Sequence, residues 1–168
     1  MSQLILVINA GSSSLKFSIF DWQSRKLVLS ALAEKLSQAD ATLSIKQGAS
    51  KSQSIIAGAE HQQMIERFLQ TLPEYSILLS QLVAVGHRVV HGGEFFSDSV
   101  VINQQVVDKI EQCSTLAPLH NPANLLGISC MSALLPDVQQ VAVFDTAFHQ
   151  SLEKKAYLYP IDYSLYQQ

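Results

Sequence analysis

Cysteine is scarce in this chain: Cys113 and Cys130 are the only two among 168 residues, and no Cys-x-x-Cys spacing is present. Two such thiols make no disulfide framework, so both read as small buried apolar residues of a reducing cytosol. Charge of one sign is lacking too, with 11 Lys and Arg against 14 Asp and Glu and a net charge of −3. No basic stripe is available to neutralise a phosphate backbone, which argues against nucleic acid as a partner. Long hydrophobic runs are missing as well. Leu4 to Ile8 is a short apolar run that Asn9 interrupts, far below the roughly 20 residues that span a bilayer, and no basic region precedes it. The expectation is a cytoplasmic protein with no membrane partner.

What is present is a core. Apolar residues make up 48% of a chain whose length fits one domain of ordinary size. Leu4 to Ile8 has the continuous branched-apolar pattern of a central strand buried on both faces. After the polar stretch Asn9 to Ser14, Leu15, Phe17 and Ile19 alternate with Lys16 and Ser18, the period of a strand with one wetter face, returning as a hairpin. Leu27 to Ala33 and Thr42 to Lys46 read as further strands. Met64, Ile65, Phe68, Leu69 and Leu72 then recur at helical spacing until Pro73. Val83 to Val90 reads as a strand ending at the Gly92-Gly93 turn, and Val106, Val107, Ile110 and Cys113 mark a second helix. Asn121-Pro122 reads as a helix start with Asn121 as the cap, leading into an apolar helix over Ala123 to Leu135. Val141 to Phe144 is a short buried strand. Strands first, then alternating helix and strand, predict an α/β fold: a mixed sheet with flanking helices in the ribonuclease H-like arrangement.

The segment Asn9-Ala10-Gly11-Ser12-Ser13-Ser14-Leu15-Lys16 lies between two strands and matches neither G-x-x-x-x-G-K-[ST] nor G-x-G-x-x-G. A tight hairpin of small residues can still offer backbone N–H groups and the hydroxyls of Ser12 and Ser14 to a phosphate, with Lys16 adding charge. Asn9 can hold a metal-bound water through its amide oxygen. Taken alone, a motif of this size recurs by chance, and an ordinary Gly/Ser turn with Lys16 in solvent is the first reading.

Arg88 stands inside an apolar strand, where an unpaired guanidinium is costly to bury. Its planar fork suits a small carboxylate or a phosphate, and a structural ion pair with a protein carboxylate fits as well. His87 and His91, four apart on a strand with no third ligand nearby, argue against zinc. His61 reads as a surface or boundary residue. His120 precedes the Asn121-Pro122 helix start, where anions are favoured, and reads equally as a satisfied boundary histidine. Asp145 follows the buried run Val141 to Phe144, at the carboxyl end of a strand where open α/β sheets carry ligands. His149 is placed to orient Asp145 or to serve as a packing or capping residue. The tail residues Tyr157, Tyr159, Tyr163 and Tyr166 are too aromatic for a solvated terminus.

Four segments in order, INAGSSSLKFSIF at 8–20, GHRVVHGG at 86–93, APLHNPANLLGI at 117–128 and VAVFDTAFHQ at 141–150, resemble the acetate and propionate kinase family, also called acetokinases. That family lies within the superfamily of actin, sugar kinases and heat-shock ATPases. The resemblance implies phosphoryl transfer between ATP and acetate, with Mg2+ or Mn2+ as the metal. It implies that Asn9 helps place the metal and that Lys16 contacts nucleotide phosphate. Arg88 would hold the carboxylate or acyl phosphate, Val90 and Leu119 would line the pocket for the acyl methyl group, Asp145 would be the catalytic acid, and His120 would stand beside the transferring phosphoryl. Val90 leans the expectation toward acetate over propionate. Family members are more than twice this length, so 1–155 is expected as an acyl-substrate domain and 156–168 as the start of an interdomain segment, with a second domain absent. The missing half implies the adenosine site, further phosphoryl-stabilising residues and most of a homodimer interface. A non-catalytic binding module is the alternative. A sugar kinase of the superfamily would want an aspartate where this chain has Asn9.

Overall fold

Alternation of apolar and polar side chains settles the first half of the molecule. In a computed structural model, which describes residues 2–167 and their side chains up to Leu165, five strands form an antiparallel meander. They are β1 (Leu4–Ala10), β2 (Ser14–Asp21), β3 (Leu27–Glu34), β4 (Thr42–Gln47) and β5 (Ser50–Ile55). Three more strands follow: β6 (Leu82–Val89), β7 (Val100–Val101) and β8 (Gln139–Phe144). The sheet has eight strands in the order β5-β4-β3-β2-β1-β6-β8-β7. β6 runs parallel to β1 and β8 parallel to β6, while β7 closes the edge antiparallel. The mixed sheet predicted from element order is thus present, with β1 central.

Helices cover one face. They are α1 (His61–Thr71), α2 (Gln104–Gln112) and α3 (Asn121–Leu134), while α4 (Lys154–Tyr157) is a single exposed turn after β8. Leu6, Ile8, Leu15, Phe17, Ile19 and Val85 point from the sheet into the layer formed by Met64, Ile65, Phe68 and Met131, and each is essentially free of solvent. Burying such a side chain contributes about 1.5–3 kcal/mol, so this face is the main source of stability. Phe17 stacks on Phe68 at 4.1 Å, joining β2 to α1, and Phe96 stacks on Phe144 at 4.3 Å beside α2.

The other face departs from expectation. Leu4 to Ile8 reads as buried on both faces and Val141 to Phe144 as a short buried strand, yet Val7 is 37% and Val143 48% exposed. Side chains alternate across a strand, and only the face under the helices has a cover among the described residues. β5 was not foreseen, because Ser50–Ile55 is exposed along its whole length and carries no apolar alternation. Cys113 and Cys130 are buried and unpaired. Tyr157, Tyr159 and Tyr163 are exposed, and the side chain of Tyr166, counted with them above, lies outside the described residues. No helix among the described residues is long and apolar enough to cross a membrane.

Candidate functional site

Register fixes which side chains share the open face. Asn9 on β1 pairs with Lys16 on β2, so both project to that side. β1 and β6 pair as far as Ile8 and His87, which turn to the helices, leaving Asn9 and Arg88 next in line on the open face. Arg88 is opposite Val143 of β8, and Asp145 follows two residues later on the same side. Three neighbouring strands therefore deliver Asn9, Arg88 and Asp145 to one place at their carboxyl ends, where ligands of open α/β sheets bind.

The three side chains are bonded together. Arg88 donates from Nε to Asp145 Oδ1 at 3.0 Å and from Nη2 to Asp145 Oδ2 at 2.6 Å. Its Nη1 donates to Asn9 Oδ1 at 3.2 Å. A guanidinium has five N–H donors, so these bonds leave two without a protein partner among the described residues. Arg88 is not buried, as its strand context suggested; its side chain is 45% exposed and that of Asp145 42%. At that exposure an ion pair contributes about 0–1 kcal/mol to stability, so the effect of the arrangement is to fix the direction of the fork. Asp145 is oriented by Arg88, and His149 makes no bond to it, lying instead edge-on to Phe148.

The loop after β6 is held by side chains. Beyond Val89 the sheet ladder ends, and the next backbone N–H groups find other acceptors. Val90 N donates to Asn124 Oδ1 at 3.1 Å, His91 N to Asn121 Oδ1 at 3.1 Å, Gly92 N to Thr146 Oγ1 at 3.0 Å and Gly93 N to His91 Nδ1 at 2.9 Å. Asn121 is the first residue of α3 and not its cap; that position falls to His120. The Asn121 amide is buried and also donates to the carbonyls of His91 and Ile110. Sequence reading missed Asn124 altogether. Two polar amides, three apart on an otherwise apolar helix, were the available signal, since a buried amide requires partners.

In the turn between β1 and β2, Gly11 N donates to Ser14 O at 2.9 Å, closing the hairpin. Ser12 and Ser13 are exposed and Ser14 half-buried, and Lys16 extends into solvent. His61, read as a boundary residue, begins α1 and donates from Nε2 to Gly11 O at 2.7 Å, bracing the turn from behind. Val90 is half-buried beside Arg88, whereas Leu119 and His120 are exposed in the loop before α3 and bond to none of the Asn9, Arg88 and Asp145 side chains. Beneath the site, His87 donates from Nε2 to Gln140 Oε1 at 2.7 Å, and burial pushes its pKa down to about 4. A cleft of about 860 Å³ lies alongside, lined by His91, Glu94, Leu116, Thr146, His149 and Tyr157.

No group of three or more His, Cys, Asp or Glu side chains suited to a metal ion is present among the described residues. Asn9 and Asp145 supply one amide oxygen and one carboxylate, and both retain lone pairs after bonding Arg88. That donor set is too small for a cage of protein ligands and fits only contacts to the water shell of a hydrated divalent cation such as Mg2+.

Known proteins share this arrangement of elements. A family model described as the acetokinase family matches residues 4–168. An acetate kinase from Chromobacterium violaceum is 45% identical over 168 residues, covering all of this chain and 42% of the relative. A propionate kinase of Salmonella typhimurium is likewise 45% identical, over 99% of this chain and 42% of its own length. The crystal structure of a propionate kinase from Francisella tularensis superposes with a TM-score of 0.92 at 39% identity, covering 97% of this chain and 42% of that one. The chain thus spans about two fifths of the length of the relatives it matches. By the extent of the family match and the agreement in fold, it belongs to the acetokinase family.

Proposed function

We propose that this chain carries the acyl-substrate side of an active site that transfers a phosphoryl group between ATP and acetate, giving acetyl phosphate and ADP reversibly. The observation that carries the reading is the Arg88 fork, fixed by Asp145 and Asn9 with two donors left for a small carboxylate. A carboxylate accepts such a fork bidentately, with specificity of direction as well as energy.

The reaction needs no covalent enzyme intermediate. An acetate oxygen attacks the γ-phosphorus of ATP in line, the new C–O–P bond forms as the bond to the ADP oxygen breaks, and ADP leaves with the electron pair. A small carboxylic acid has a pKa of about 4 and is ionised at neutral pH, so no base is required to take its proton. The role of Asp145 is accordingly to hold Arg88, and Arg88 aims the nucleophile. Lys16, His120 and the N–H groups and hydroxyls at Ser12 and Ser14 offset charge on phosphoryl oxygens. Mg2+, held by substrate phosphates and the water-shell contacts of Asn9 and Asp145, would neutralise further charge there. Val90 and Leu119 line the methyl pocket.

Residues 1–155 form the acyl-substrate domain in this reading and 156–168 lead toward the remainder of a longer, cytoplasmic, dimeric enzyme. Relatives named as propionate kinases support propionate as the second substrate. The test is acetyl phosphate formation from ATP and acetate or propionate, with this chain alone and with the chain extended to the length of its relatives. Product is expected only from the extended form, with acetate preferred. Activity of the short chain would overturn the view that it is one side of a site, and no product from a folded extended form would overturn the kinase reading.

A further inference from the structure

The split between β1 and β6 is bridged by an amide on each face. The ladder joining the two strands ends at Ile8 and His87. On the open face the gap is crossed by Asn9 and Arg88, already placed in the site. On the helix face it is crossed by Asn124 of α3, a residue that the phosphoryl-transfer chemistry does not use.

Asn124 is 2% exposed, and its side chain touches both sides of the split. Nδ2 donates to Ala10 O at 2.7 Å, and Oδ1 accepts from Val90 N at 3.1 Å. Ala10 is the last residue before the phosphate turn. Val90 lies two residues after Arg88 and lines the acyl pocket. One planar group, with donor and acceptor held about 2 Å apart by covalent geometry, therefore ties the phosphate side to the acyl side. A primary amide supplies both functions at this spacing, whereas a carboxylate offers acceptors alone and an apolar side chain leaves the part-buried Val90 N–H and the buried Ala10 carbonyl without this partner. The helix that carries Asn124 is itself pressed against β1. A Cβ added to Gly127, one turn further on, would lie 2.8 Å from the Ala10 Cβ, so α3 can approach this closely only with glycine there.

We infer that Asn124 is a positioning residue that sets the distance between the phosphate turn and the acyl pocket, an inference that rests on the phosphoryl-transfer reading above. Acetyl phosphate places its two ends on the two sides of the split at once. Acetate and inorganic phosphate each occupy one side. A change in separation is therefore felt by the bivalent ligand and not by its halves, because a tethered ligand gains only when both sites are spanned together.

The experiment is a titration of the chain, followed through its backbone amide resonances, with acetate, inorganic phosphate and acetyl phosphate separately. Asn124→Leu removes both bonds, and Gly127→Ala pushes α3 from β1 while leaving the amide in place. In both variants acetate and phosphate affinities are expected to stay within about twofold of the parent while acetyl phosphate binding weakens by roughly tenfold, as expected for a displacement well under 1 Å. If Asn124→Leu does not fold, Gly127→Ala decides the matter. Equal weakening of all three ligands, or an unchanged acetyl phosphate affinity, would overturn the positioning role alone. A folded parent chain whose resonances respond to none of the three ligands would instead overturn the placement of the acyl and phosphate sides on this chain, on which the inference stands, and absence of product from the extended form would separately overturn the kinase reading.

Discussion

Arg88 and Asp145 meet through two parallel hydrogen bonds across the carboxyl ends of β6 and β8, Nε to Oδ1 at 3.0 Å and Nη2 to Oδ2 at 2.6 Å. A pair so exposed is a weak stabiliser, which separates its effect on folding from its effect on binding. Arg88→Lys keeps the charge but loses the planar fork, and Asp145→Asn keeps the shape but loses the charge that fixes it. Each is expected to shift unfolding free energy by no more than about 1 kcal/mol and to weaken acetate binding about tenfold, near 1.4 kcal/mol. Denaturant unfolding and acetate titration check the two halves. Near-normal turnover and unchanged magnesium affinity in an extended Asp145→Asn enzyme would remove both the orienting role and any general-base role.

His87 gives the fold a pH dependence whose sign is fixed by burial. Its folded pKa is about 4, against an ordinary value of 6.5, because the ring sits under the helices, while the bond to Gln140 opposes the shift only in part. Between these values the unfolded chain binds the proton and the folded chain does not, so stability is fully present above pH 6.5 and is lost as pH falls toward 4. The loss at the lower end is on the order of 3 kcal/mol from this group. Melting temperatures from pH 7 to 4.5 should fall less steeply for His87→Gln than for the parent. Parallel curves would exclude the buried neutral histidine.

The hairpin, the central strand, the helix over Met64 to Leu69 and the Gly92-Gly93 turn were legible in the sequence because each rests on local periodicity or on a backbone that only glycine adopts cheaply. Position 88 was legible as an arginine needing an anion, but two readings stood open there, ion pair or ligand. The fold supplies the ion pair and leaves donors for a ligand too. Asn121 was misread, since an amide ahead of proline looks like a cap. Its partners are the backbone groups of His91 and Ile110, and nothing local announces them. His61 is likewise bonded 50 residues back, to Gly11. Long-range polar contacts of this kind carry no period. The apolar run Leu4 to Ile8 signals a cover on both faces, and the described residues supply it on one.

Gly93 is a sharper test of the loop after β6. Its φ is +59°, and an added Cβ would lie 2.8 Å from the Cys113 Sγ. Gly93→Ala thus combines left-handed strain with a clash against a buried residue, each of the order of 1–3 kcal/mol. A loss of roughly 2–4 kcal/mol on denaturation is expected, whereas Gly48→Ala, with equal φ but nothing near its Cβ, should cost about 1 kcal/mol. Equal costs at the two positions would show that the 93 loop yields without disturbing Cys113.

Lys16 tests the proposed division of the site into a phosphate side and an acyl side. Pairing with Asn9 sets it on the open face, one strand further from Arg88, and its ammonium makes no bond to any described residue. The side chain is therefore free to meet a phosphate, and its removal costs the fold little, since exposed substitutions stay within about 0.5 kcal/mol. A point charge on a flexible stem contributes to anion binding without fixing direction, so its loss should be felt by phosphate in proportion to charge and by acetate hardly at all. Lys16→Met is expected to weaken inorganic phosphate binding by roughly three- to tenfold at low salt, with the difference shrinking as salt is raised, and to leave acetate affinity unchanged. The opposite pattern, acetate lost and phosphate kept, would place the carboxylate on the β1–β2 turn and reverse the assignment of the two sides.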